Sequence, residues 1–309
     1  AASLQRSERD IAGQRYALAS LQQKNTGTAD DEELLERAFT HADADNAKAG
    51  TDEAPAAATE LSDLKQGQVL QFLKKAIKNN EIQVTLQPIV RLPQRLPAFY
   101  EMFARIKVGE QGYISAGKFI AVAKDNDLMS TVDNLLLLRC LQMIKKTAKK
   151  DSTVSYFVNI SSSTLTNKAY VTDLITFLSA NPQLSSHLVF EMAQADTLKM
   201  PGNVKQVMEG LALLGCRFSM DQVGFIGLDI DRLSDLNISF VKLDTNLILK
   251  EIQDTDKRNR LRKMKTTLDM NGISVIMEKV ENDKQLQGLG NLYVTYAQGY
   301  LFGRPEEMA

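Results

Sequence analysis

Beyond Glu81 the apolar residues follow two alternating rhythms. Short runs of strand length cover Ile82–Val90, Pro97–Ile106, Thr153–Ile160, Leu188–Met192, Arg217–Met220, Phe240–Leu243, Ser274–Met277 and Tyr293–Tyr296. Amphipathic stretches with a helical period lie between them, at Ala116–Lys124, Val132–Lys149, Tyr170–Ala180, Val204–Leu214, Asp256–Asn271 and Asn282–Leu289. Repeated switching between the two periods predicts an α/β protein with a parallel sheet closed as a barrel. The first two strands are joined only by Arg91–Leu96. A parallel crossover needs a dozen or so residues, so this pair is expected to be antiparallel.

The pattern upstream is different. Val69, Leu70, Leu73, Ala76 and Ile77 form one apolar face, which predicts a helix with Asp63 as its cap. Residues 25–62 are rich in Ala, Asp, Glu and Thr and read as a flexible acidic linker. In residues 1–24, Leu4, Ile11 and Leu18 recur every seven residues, but the seam positions Ser7 and Gln14 are polar. That pattern suits a short surface helix and equally the tail of a coiled coil begun upstream. The chain opens Ala-Ala-Ser without an initiator Met, as a truncated or a processed protein does, and truncation is the favoured expectation. The expected organisation is a helix at 1–24, a linker at 25–62 and a barrel domain at 63–309.

Composition narrows the function classes. The 309 residues are 44% hydrophobic, enough for one large core. A net charge of −1 hides an asymmetry: Asp30 to Asp63 holds eleven acidic residues against Arg37 and Lys48, so the chain from Leu64 onward is mildly basic. That suits an anionic ligand, yet no basic run is dense enough for a nucleic-acid polymer. Cys140 and Cys216 sit in apolar stretches, as buried free thiols do, and are too few for a zinc site. His41 lies in the polar linker and His187 opens a strand next to a loop, which argues against a histidine-based triad or a histidine-rich metal site. No signal peptide and no apolar run of about 18 residues is present.

The candidate chemistry lies at strand ends. Glu101, Asn159, Glu191, Asp221, Asp244, Glu278 and Gln298 come from seven segments, with Lys242 beside them. Oxygen donors of this kind suit Mg²⁺ or Mn²⁺, and a barrel gathers its strand C-termini onto one face. Taken singly, Glu101 also reads as a solvated strand residue, Asn159 as a turn residue, and Lys242 with Asp244 as a strand-end ion pair. Arg105 shares a strand face with Glu101, where a guanidinium can bind phosphate. Gly299 would let backbone approach a ligand closely. Gln194 and Gln222 are neutral where a second carboxylate would help a metal pair.

In order, the motifs are Gln87-Pro88-Ile89-Val90, Glu101-Met102-Phe103 with Arg105, Phe119-Ile120, Val158-Asn159-Ile160-Ser161, Glu191, Phe218-Ser219-Met220-Asp221, Lys242-Leu243-Asp244, Glu278-Lys279-Val280-Glu281 and Gln298-Gly299-Tyr300-Leu301-Phe302-Gly303-Arg304-Pro305. Together they resemble the EAL domain family of cyclic di-GMP phosphodiesterases over about residues 64–307. The resemblance implies a modified (β/α)₈ barrel with an antiparallel first strand pair. It implies metal ligands at Glu101, Asn159, Glu191, Asp221 and Asp244. It also implies contacts to a cyclic dinucleotide from Gln87, Glu101, Met102, Phe103, Arg105, Asn159, Asp221, Lys242, Glu278, Glu281 and Gln298. Against the family pattern, Gln222 replaces the second aspartate of Asp-Asp-Phe-Gly, Phe225-Ile226 replaces Thr-Gly, Gln194 replaces the loop-stabilising glutamate, and Lys279 replaces a glycine. A metal pair works with its ions about 3.5–4 Å apart, and an amide is a poorer ligand than a carboxylate.

The departures imply a degenerate phosphodiesterase: no catalytic residue in service, Lys242 and Glu278 vestigial, no cofactor required, and Mg²⁺ or Mn²⁺ at most at one residual site. The expected function is a cyclic di-GMP receptor that relays the ligand to protein partners of a motility or signalling complex. A weakly active phosphodiesterase and a ligand-free scaffold are the alternatives. The heptads, linker and degenerate barrel further resemble TipF-type flagellar regulators. That implies a cytoplasmic-side domain with a membrane anchor upstream, and leaves homodimerisation open.

Overall fold

A computed structural model describes residues 60–61, 63–148, 154–224 and 228–307. The expected helix at 1–24, nearly all of the acidic linker and Phe225-Ile226 lie outside the described residues. Among the described residues there are nine strands: β1 Ile82–Arg91, β2 Leu96–Val108, β3 Gly112–Ser115, β4 Ser155–Asn159, β5 Leu188–Ala193, β6 Arg217–Asp221, β7 Ile238–Asp244, β8 Ser274–Glu278 and β9 Tyr296–Gln298. Their order is β1-β9-β8-β7-β6-β5-β4-β2-β3, and pairing of β1 with β2 closes eight of them into a barrel.

The antiparallel first pair is present, with Gln87 opposite Glu101 and Gln83 opposite Arg105. β1 is also antiparallel to β9, so it runs against both neighbours. The remaining barrel pairs are parallel, which brings their C-termini to one mouth. β3, not expected from the sequence, extends β2 as a hairpin outside the closed ring.

Strand alternation divides the side chains between two cores. Ile89, Phe99, Phe157, Val189, Phe240, Ile276 and Tyr296 point inward and plug the barrel below the mouth. Phe99, Phe157 and Phe240 meet with ring centroids 5.1–5.6 Å apart. Their neighbours along each strand point outward into the larger core beneath the helices, which includes both cysteines as free, buried thiols.

Four local expectations are corrected. The first described helix spans Gln66–Asn79, with Lys65 rather than Asp63 at its cap position. Gln68 Oε1 accepts from Lys65 N–H at 3.0 Å. The last strand is Tyr296–Gln298, not Tyr293–Tyr296, because Tyr293 is left-handed (φ 49°) after a short 3-10 turn. Met102 is buried in the outer core, on the opposite face of β2 from Glu101, and supports the strand instead of facing a ligand. Gly299 serves the backbone: a Cβ there would lie 2.1 Å from Val280 O. The end of the expected linker is held, since Leu61 N–H donates to Tyr113 O at 2.9 Å. No helix among the described residues is long and apolar enough to cross a membrane.

Candidate functional site at the barrel mouth

Above the aromatic plug the inward positions turn polar. Gln87 on β1, Glu101 on β2, Asn159 on β4, Glu191 on β5, Asp221 on β6, Lys242 on β7, Glu278 on β8 and Gln298 on β9 all follow the inward phase of their strands. Paired register aligns Asn159 with Glu191 and Asp244 with Glu278. The sequence-expected residues are therefore brought to one mouth, apart from Met102 and the exposed Glu281.

The centre of this layer is Lys242, almost completely buried. Its Nζ donates to Glu101 Oε2 at 2.6 Å and to Glu191 Oε1 at 2.9 Å, and lies 2.8 Å from Glu191 Oε2. Gln298 Nε2 donates to the same Glu101 oxygen at 2.6 Å and to Gln87 Oε1 at 3.2 Å. Gln87 Nε2 in turn donates to Gly303 O at 2.9 Å. Burial pushes the Glu191 carboxyl well above its ordinary value, and the nearby Glu101 charge adds to this. Burial alone would lower Lys242, but Glu101, Glu191 and Asp221 outweigh it and hold the ammonium above its ordinary range. One cation between two buried carboxylates is the arrangement these opposed tendencies favour.

Nearer solvent, Lys279 Nζ donates to Asp244 Oδ2 at 2.8 Å and lies 3.6 Å from Glu278 Oε1. Asp244 Oδ1 accepts from Asn246 and Leu247 N–H at 2.8 and 3.3 Å, capping the helix Thr245–Glu251. Burial would raise Asp244, but Lys279 and the two N–H donors outweigh it and hold the carboxyl below its ordinary value. Glu278 is pushed up to about 7, by burial first and by the Asp221 charge next.

Lys279 and Gln222 are left-handed, with φ of 58° and 54°. Glycine, asparagine and aspartate adopt that backbone more readily than these residues. Gln222 is exposed. Gln194, read as a neutral gap, accepts from Gly224 N–H at 2.9 Å and so ties down the loop after β6. Gln194→Ala is expected to cost about 1 kcal/mol and to speed amide exchange at Gly224. Unchanged protection there would mean the loop is held from elsewhere.

Arg105 lies at the rim, where its guanidinium pairs with Glu307, donates to Gln83 Oε1 at 3.3 Å and sits over Tyr113. Glu307 is not legible as its partner, because a residue outside helices and strands follows no periodicity.

The donor set suits a hard cation, but its arrangement does not fit a metal pair. Lys242 takes Oε2 of Glu101 and both oxygens of Glu191, and Lys279 together with a helix cap takes both oxygens of Asp244. Asp221 Oδ1 and Gln298 Oε1 are buried without a hydrogen-bond partner, and Glu191 Oε2 has only the Lys242 ammonium, 2.8 Å away, yet these oxygens still fall short of the six or so ligands Mg²⁺ takes. Among the described residues, no three His, Cys, Asp or Glu side chains form a metal-holding group.

Comparison with known proteins identifies the family of the barrel. The model of the EAL domain family matches residues 71–305. The chain is 26% identical over 236 residues to the probable cyclic di-GMP phosphodiesterase PdeG of Escherichia coli K12, covering 76% of this chain and 46% of PdeG. It is 24% identical over 239 residues to the cyclic di-GMP phosphodiesterase PdeF of the same organism, covering 76% of this chain and 31% of PdeF. It therefore spans less than half of either relative. Among solved structures, the FimX EAL domain of Pseudomonas aeruginosa bound to c-di-GMP superposes with a TM-score of 0.67 at 25% identity, covering 78% of this chain and 98% of that one.

Proposed function

This chain belongs to the EAL domain family, and on that premise we propose that it is a cyclic di-GMP receptor that does not hydrolyse its ligand. The observation that carries the reading is the ion pair of Asp244 with Lys279, which stands where the family has a glycine. Lys279 neutralises Asp244 where two-metal hydrolysis needs oxygens free for metal, and deeper in the mouth Lys242 bridges Glu101 and Glu191. Gln222 and Gln194 remove two further negative charges from the same mouth. Less net negative charge there lowers the repulsion of a dianionic dinucleotide. The likeness to FimX, solved with c-di-GMP bound, supports the ligand.

Gln87, Glu101, Phe103, Arg105, Asn159, Asp221, Glu278 and Gln298 line or rim the mouth and are the proposed contacts. An incoming phosphate replaces Glu307 on Arg105, since so exposed a pair contributes little. Arg105→Ala is expected to weaken cyclic di-GMP binding by about ten- to a hundredfold, the worth of one or two charged hydrogen bonds. An unchanged dissociation constant would take Arg105 out of the site. The bound state is proposed to be read by protein partners, in flagellar or motility signalling as the TipF-type likeness suggests.

The alternative, a slow phosphodiesterase with one residual Mg²⁺ or Mn²⁺ site, draws on the retained Glu101, Asn159, Glu191 and Asp221. Incubating the chain with cyclic di-GMP and Mn²⁺ for hours and separating the products distinguishes the two. Intact ligand is the expected result, and accumulation of the linear dinucleotide would favour the enzyme.

A further inference from the structure

The conformation of Lys279 calls for an explanation. A left-handed backbone is costly for lysine and free for glycine, yet lysine is held there at φ 58°. The kink lets the chain leave β8 so that Val280 is fully buried, its N–H donating to Gln298 O at 3.0 Å and its O accepting from Leu301 N–H at 3.1 Å. Any residue at this position must adopt the kink. Only a long cationic side chain also turns back across the β7–β8 register to reach Asp244 Oδ2 at 2.8 Å with Glu278 Oε1 at 3.6 Å. Asp244 is then satisfied on both oxygens, by an ammonium on one side and two backbone N–H groups on the other.

We propose that Lys279 is a tethered cation that occupies the Asp244–Glu278 wall in place of a divalent metal ion and keeps such an ion out. The proposal rests on the receptor reading only in that the mouth works without a metal pair. A side-chain cation differs from a bound metal in two ways. It cannot be removed by a chelator, and it supplies one positive charge without a coordination site for water.

The test is a calorimetric titration of the full chain with Mn²⁺ alone, comparing the parent with Lys279→Gly, Lys279→Gln and Lys279→Arg. Removing a positive charge about 4 Å from a divalent ion removes repulsion worth roughly tenfold or more in affinity. Mn²⁺ is therefore expected to bind at least about tenfold more tightly to Lys279→Gly and Lys279→Gln than to the parent. Lys279→Arg is expected to match the parent. Adding Asp244→Asn to Lys279→Gly is expected to abolish the gain. Glycine suits the φ at this position, so Lys279→Gly is expected to melt no lower than the parent, and Lys279→Gln provides a second readout that keeps a side chain. Equal Mn²⁺ affinity in the parent and both neutral variants would overturn the proposal. So would a gain that survives Asp244→Asn. No nucleotide enters this comparison, so a failure of cyclic di-GMP binding would count against the receptor reading and not against the role of Lys279.

Discussion

Lys242→Met is expected to destabilise the barrel by about 3–5 kcal/mol, the usual cost of stripping the partner from a buried ion pair. For a domain of this size that is a fall of roughly 6–20 °C in melting temperature. The cost is not the loss of favourable contacts alone. It comes from leaving Glu101 and Glu191, both almost completely buried, facing one another without a counter-ion. The effect has a defined pH dependence. The Glu191 carboxyl already lies above its ordinary value when folded, and removing Lys242 raises it further. A carboxyl raised on folding is most favourable below its unfolded value, and its contribution is lost as pH rises through the folded one. The gap between the parent and Lys242→Met is therefore expected to narrow on going from pH 8 to pH 5. Adding Glu191→Gln is expected to recover part of the loss at pH 8. Thermal melts across this range check both expectations, and a pH-independent gap would show that lost packing, not charge, sets the cost.

Gly299→Ala is expected to be the most damaging glycine-to-alanine change among the described residues. A Cβ there would lie 2.1 Å from Val280 O and 2.4 Å from Val280 N, at a φ of +152°. Both obstructing atoms are backbone, and both take part in the hydrogen bonds that hold β9 and the following turn. No rotamer change relieves the clash, so the loss should exceed about 4 kcal/mol and abolish soluble expression or cooperative melting. Gly290→Ala, where a Cβ meets nothing within 4 Å, is the control and is expected to stay within about 0.5 kcal/mol of the parent. Comparable melting of the two variants would mean that the Val280–Gly299 crossing yields readily.

The barrel was legible because its signals are local. Periodicity marks strands and helices, and the short Arg91–Leu96 link dictates an antiparallel first pair. Position at the ends of apolar runs, in a fold that gathers strand C-termini, brings Glu101, Asn159, Glu191, Asp221, Lys242 and Glu278 to one face. Errors arose where distant partners decide. Tyr293–Tyr296 looks like a strand by composition, but closure against β1 selects Tyr296–Gln298. Met102 sits one residue from Glu101, and a one-residue step reverses the face. Gly299 was read as clearance for a ligand, whereas the close neighbour is the backbone of Val280. Alternation put Lys242 and Asp244 on one face, but it carries no depth. It therefore could not show that Lys242 reaches down to Glu101 and Glu191 while Asp244 is met by Lys279. The β3 hairpin was missed, although Gly109 and Gly112 between short apolar runs are the kind of signal that marks one.

The most direct measurement is calorimetry of the full chain with cyclic di-GMP in the presence of EDTA. A metal-independent receptor should give a saturable heat with about one ligand per chain. No heat up to about 100 µM ligand, or binding that appears only with Mn²⁺ and is followed by linear product, would contradict it.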